Sequence, residues 1–110
     1  MTYIIVRTQS EFIHCWPEAP REVQYLRALH RHMLHIELKL EVHHDDRELE
    51  FIMVKHELSK FLERFLAEAR GRTSCEQVAE AIKEWAVDKY GDRACVVQVL
   101  EDNENGVEVS

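Results

Sequence analysis

Residues 29–38 read Leu-His-Arg-His-Met-Leu-His-Ile-Glu-Leu, and the stretch runs on through Lys39, Leu40, Glu41 and Val42. From Met33 to Val42 the alternation is strict. Leu34, Ile36, Leu38, Leu40 and Val42 fall on one side; Met33, His35, Glu37, Lys39 and Glu41 fall on the other. Side chains on a strand repeat every two residues, so the pattern predicts a strand with one apolar and one polar face. His30 and His32 precede it at the same spacing. On an extended backbone both imidazoles point to one side and can grip a single metal ion. A catalytic zinc site takes three protein donors and leaves a fourth position open. The third donor is His14, in Phe12-Ile13-His14-Cys15-Trp16, which a hairpin between the first two strands would bring alongside. Spacing alone leaves the plainer reading open, that these are half-exposed strand histidines.

Working outward, Tyr3–Val6 is a β-branched and aromatic run that predicts a strand, resumed over Phe12–Trp16 after a polar break at Arg7–Glu11. Pro17 and Pro20 end any ladder there. Arg21–Leu29 reads as a short helix or a loop packed by Val23, Leu26 and Leu29. His43-His44-Asp45-Asp46 is a polar turn, and Leu49–Val54 a short strand or a helix entrance. From Val54 the apolar period becomes helical, through Leu58, Phe61, Leu62, Phe65, Leu66 and Ala69, with Gly71 as the C-cap. Thr73 followed by Glu76 has the form of a capping box, opening a second helix striped by Val78, Ala79, Ile82, Trp85 and Ala86 and closed by Gly91. Ala94–Glu101 alternates again, and Val107–Val109 is a last short strand after a turn. The order is ββααββ, an α+β arrangement with two helices packed on one face of an antiparallel sheet.

The chain has 110 residues, 45% of them hydrophobic and 32% charged, which predicts one globular domain spanning residues 1–110. A formal charge of −7 and the absence of a basic stripe argue against nucleic acid as a partner. No apolar run has the length of a membrane span and no signal segment is recognisable, so the expected location is cytoplasmic. Cys15, Cys75 and Cys95 are three widely spaced thiols without a C-x-x-C, which fits neither a disulfide framework nor a cysteine-rich zinc finger. His35 and His56 read as surface residues.

Four motifs in this order carry a family resemblance: His14 ending the first strand, Leu29-His30-Arg31-His32 opening the second, Thr73-Ser74-Cys75-Glu76-Gln77-Val78-Ala79 opening the second helix, and Val97-Gln98-Val99-Leu100-Glu101 near the end. Together they resemble the 6-pyruvoyl-tetrahydropterin synthase and 6-carboxytetrahydropterin synthase family, over nearly the whole chain. The resemblance implies the tunnelling fold, a homo-oligomeric barrel with sites at subunit interfaces, and zinc held by His14, His30 and His32. It further implies a pterin- or purine-like ring bound by Glu101 and by the backbone around Thr73 and Ser74. The implied chemistry is zinc-assisted elimination and tautomerisation of dihydroneopterin triphosphate, a carbon–oxygen lyase reaction.

The chain departs from the family where a protein base is needed. Leu26 stands at the position of the catalytic cysteine, an ungapped count puts the Asp-His dyad near Arg70 and Gly71, and Arg31 replaces the glycine between the paired histidines. Cys75 is a candidate substitute, because a helix N-terminus favours a thiolate. Cys15, adjoining His14, would face the other side of an extended strand. Three readings follow: a zinc enzyme with a relocated base, a non-catalytic ring-binding or assembly protein of the same fold, and a metal-free interaction domain.

Overall fold

Thirteen consecutive residue pairs, from Thr2 opposite Val42 to His14 opposite His30, join the first two strands into one long antiparallel hairpin. They are β1 (Thr2–His14) and β2 (His30–Val42) in a computed structural model that describes residues Met1–Ser110. The helices α1 (Phe51–Glu68) and α2 (Cys75–Tyr90) follow, then β3 (Cys95–Glu101) and β4 (Asn105–Val109). The chain is α+β: the four strands pair antiparallel in the order β1-β2-β3-β4, leaving β1 and β4 at the edges. α1 lies over β1, and α2 over β3 and β4.

The alternation in β2 sets the layers. Leu34, Ile36, Leu38 and Leu40 are buried beneath the helices, joined by Val6 and Phe12 of β1 and Cys95, Val97 and Val99 of β3. Val54, Leu58, Leu62 and Leu66 of α1 and Val78, Ala79, Ile82 and Ala86 of α2 close the core from above. Burial of each large apolar side chain contributes about 1.5–3 kcal/mol. Phe61 stacks on Trp85 at a ring-centroid distance of 5.3 Å and joins the two helices. The other face of the sheet carries Arg7, His35, Glu37 and Gln98 and has no layer over it.

Several boundaries differ from the sequence expectation. β1 does not break at Arg7–Glu11: the backbone ladder to β2 continues through that polar stretch, and Arg7 and Glu11 sit on the uncovered face, ion-paired to Glu37 and Arg31 of β2. It stops at His14, short of Trp16, where the Cys15 N–H donates to the Gly71 carbonyl instead. Gly71 adopts φ 117°, a conformation that side-chain-bearing residues rarely reach. Residues Arg21–Leu26 form a 3-10 helix kinked at Val23.

α1 begins at Phe51, capped by the Glu50 carboxylate accepting from the Ile52 and Met53 N–H groups, and its C-cap is Ala69 rather than Gly71. The N-cap of α2 is Ser74 rather than Thr73. Its hydroxyl accepts from the Gln77 N–H, and the Gln77 side chain accepts from the Ser74 N–H. Both Thr73-x-x-Glu76 and Ser74-x-x-Gln77 spell a capping box, and the helix starts one residue later than the first of them predicts. β4 begins at Asn105, where Gly106 lies so close to β3 that a Cβ would overlap the Val99 carbonyl.

Candidate metal centre

The row of inward-facing residues on β2 continues past the core as His32 and His30, and on β3 it continues past Val99 as Glu101. The register sets His14 directly opposite His30, His32 opposite Phe12, and Glu101 opposite Leu34. All four polar side chains therefore share the helix-covered face at one end of the sheet. There α2 begins, so the space above them is capped by its first turn and otherwise open.

His14, His30 and His32 come together, each offering a ring nitrogen within 4.8 Å of the other two. Each ring is oriented through Nδ1. That of His14 lies 2.8 Å from the Thr73 carbonyl oxygen, that of His30 2.8 Å from the Ala28 carbonyl oxygen, and that of His32 2.7 Å from Asp102 Oδ2. A carbonyl or carboxylate oxygen only accepts, so each Nδ1 carries the proton and donates it. In the neutral ring the Nε2 lone pair then points away from these acceptors. The Nε2 atoms of His14 and His32 are buried and have no hydrogen-bond partner. Three imidazoles, each donating through one nitrogen and presenting the other to a common space, could hold a divalent transition metal.

Glu101 belongs to the same constellation. Its Oε2 lies 3.1 Å from His14 Nε2 and 3.6 Å from His32 Nε2, and makes a hydrogen bond to neither. The Cys75 thiol donates to the same oxygen at 3.5 Å. Burial, and then the Glu101 carboxylate, push that thiol up to about 12, so the helix N-terminus does not make Cys75 a thiolate. Thr73 meets the centre through its carbonyl, whereas the Ser74 hydroxyl is occupied in capping α2.

A cavity of about 530 Å³ opens beside the histidines, lined by His14, His30, Thr73, Ser74, Cys75 and Glu101 and, farther out, by Trp16, Leu26, Arg72 and Gly106. Cys15 borders it too, because the ladder ends at His14 and the chain leaves the extended geometry that would have turned Cys15 away. Arg31 lies outside the cavity, paired with Glu11 on the uncovered face of the sheet.

Asp102 is the residue that spacing did not expose. It stands in the β3–β4 turn at φ 54°, followed by Asn103 at φ 59°, left-handed positions that Asp and Asn tolerate. There its Oδ1 accepts from the Met33 N–H at 3.0 Å while Oδ2 holds His32. These two bonds keep its carboxyl below the usual carboxylate range, that to His32 contributing most. The available signal was its place directly after Glu101, where a hairpin turn brings it beside the start of β2. No protein-family model matches the chain and no curated protein matches it with significant similarity.

Proposed function

We propose that this chain holds one zinc ion at His14, His30 and His32 on the wall of a ligand cavity, as a divergent relative of the pterin synthases that has kept the metal and lost the catalytic base. The tautomers carry the reading. Three Nδ1–H groups are committed to oxygen acceptors, so three lone pairs face a common space that suits a cation. Such a set of imidazole donors suits zinc. Zinc there would supply Lewis acidity toward a side-chain oxygen of the ligand.

The chain's own residues bind rather than react. Thr73, Ser74 and Glu101 stand on the cavity wall, where carbonyl and carboxylate oxygens can accept from the N–H edge of a pterin- or purine-like ring. Elimination and tautomerisation need a group that takes and returns a proton within hydrogen-bonding reach. Leu26 lines the cavity where the pterin synthases have a cysteine, and Cys75 is buried with its thiol turned to the Glu101 carboxylate. These two observations favour a ring-binding protein without turnover over an enzyme with a relocated base.

The proposal extends to assembly. The radius of gyration is 15.0 Å and the long axis 51 Å, against about 13 Å expected for the radius of a compact 110-residue chain. Two open edges and one uncovered sheet face fit a subunit of a homo-oligomer.

Elemental mass spectrometry of the tag-free protein tests the centre. About one zinc per chain, lost in the His30→Ala, His32→Ala double variant, is the expected result. Absence of bound metal after incubation with zinc would remove the reading. Incubation of the loaded protein with dihydroneopterin triphosphate should then show binding without product.

A further inference from the structure

We infer that Glu101 is the fourth ligand of the metal in the ligand-free protein, so that the resting centre is closed. This rests on the zinc reading above and adds to it. Zinc bonds of 2.0–2.2 Å to nitrogen and oxygen place neighbouring corners of a tetrahedron about 3.3 Å apart. Glu101 Oε2 stands 3.1 Å from His14 Nε2 and 3.6 Å from His32 Nε2, on either side of that spacing.

The contacts are acceptor against acceptor. With Nδ1 of each ring donating elsewhere, the carboxylate oxygen faces two nitrogen lone pairs, an arrangement that repels unless a cation lies among them. Neither nitrogen makes a hydrogen bond to that oxygen. Glu101 stands outside the group of donors mutually within 4.8 Å, which the three histidines form alone, so its ligation requires the His30 nitrogen and Glu101 to close up around the ion. The Cys75 S–H donates to the same Oε2 and steadies the carboxylate, as groups behind a metal ligand do.

A closed sphere of four protein donors is the pattern of a structural metal, whereas a catalytic metal keeps a position open. In this protein the open position would appear only when Glu101 is drawn off the ion. A ring whose N–H edge engages Glu101 does that, which couples ring binding to exposure of the metal. At rest, the ion ties the end of β1, the start of β2 and the end of β3 into one clip.

The test uses the full chain, loaded with cobalt(II) for its visible spectrum, and the isosteric variant Glu101→Gln, which keeps an acceptor for Cys75. Azide, a small anionic ligand, is titrated into both, and zinc affinity is measured in parallel by competition with a chromophoric chelator. The wild-type spectrum should not respond to azide; the variant's should shift, with zinc held at least about tenfold more weakly. Far-UV circular dichroism on both proteins separates an opened centre from a misfolded chain, whose loosely held cobalt would also take azide. An equal azide response in both proteins with unchanged zinc affinity would overturn the assignment of Glu101 and leave the three-histidine centre standing. Failure of the wild type to take up either metal would overturn both.

Discussion

At the proposed zinc centre, replacing Asp102 with Asn should weaken metal binding about 10–100-fold while leaving the fold in place. The Asp102 carboxylate divides its two oxygens, Oδ1 taking the Met33 N–H at 3.0 Å and Oδ2 the His32 Nδ1–H at 2.7 Å. The Asp102 N–H also donates to the Met33 carbonyl at 2.7 Å, so the turn is tied to β2 by backbone as well as side chain. Asn tolerates φ 54° and its amide oxygen can keep the Met33 bond. Its NH2 group then meets the His32 Nδ1–H, donor against donor. His32 escapes that clash by moving its proton to Nε2, and the lone pair that should meet the metal is gone. Loss of an outer-shell partner typically lowers metal affinity about 10–100-fold. At 1.36 kcal/mol per decade that is about 1.4–2.7 kcal/mol of binding free energy. Chelator competition at neutral pH on wild type and variant measures it directly, with far-UV circular dichroism to show that the fold persists. Zinc affinity within about threefold of wild type would refute the argument that Asp102 fixes the His32 tautomer.

At the opposite end of the sheet, the His43 N–H, donating at 2.6 Å, and then Arg93, at 3.1 Å, hold the Glu48 carboxyl below the usual carboxylate range. A lowered folded value means the stabilisation is complete above the ordinary carboxylate range and is lost as pH falls through the lowered value, so Glu48→Gln should be less stable than wild type at neutral pH and converge with it in acid, as read by urea unfolding across that range. In the metal-free protein Cys75, pushed up to about 12 and buried, should resist alkylation at mildly alkaline pH, and rapid labelling at that position in a peptide map would contradict its environment. Leu58 on α1 is fully buried, and Leu58→Ala should lower stability by about 2–5 kcal/mol in denaturant unfolding, a smaller loss indicating a looser contact between α1 and the sheet.

Much of this architecture was legible in the chain because its two periods are clean. The alternation from Leu34 to Leu40 and from Cys95 to Val99 placed β2 and β3, and the apolar stripes of Leu58, Leu62, Leu66 and Val78, Ile82, Ala86 placed the helices over them. Backbone hydrogen bonding overrode the local signal in β1, where Arg7–Glu11 reads as a break and the ladder to β2 carries the strand through it. Two capping boxes one residue apart left the start of α2 ambiguous, and the observed bonds of Ser74 and Gln77 resolve it.

What the sequence by itself determined about the candidate site is that His30 and His32 share a face, since period two is a property of the extended backbone. Only the tertiary structure decided the rest. The pairing of His14 with His30 depends on a register shared by every pair of the ladder back to Thr2 and Val42, twelve residues away. The carbonyls of Thr73 and Ala28 and the carboxylate of Asp102, which turn the three lone pairs inward, come from a helix entrance, a loop and a hairpin turn far apart in the chain. Hydrogen-bond direction is a matter of angstroms between groups that no local pattern relates, and it is this direction, more than the presence of three histidines, that makes the end of the sheet fit to hold a metal.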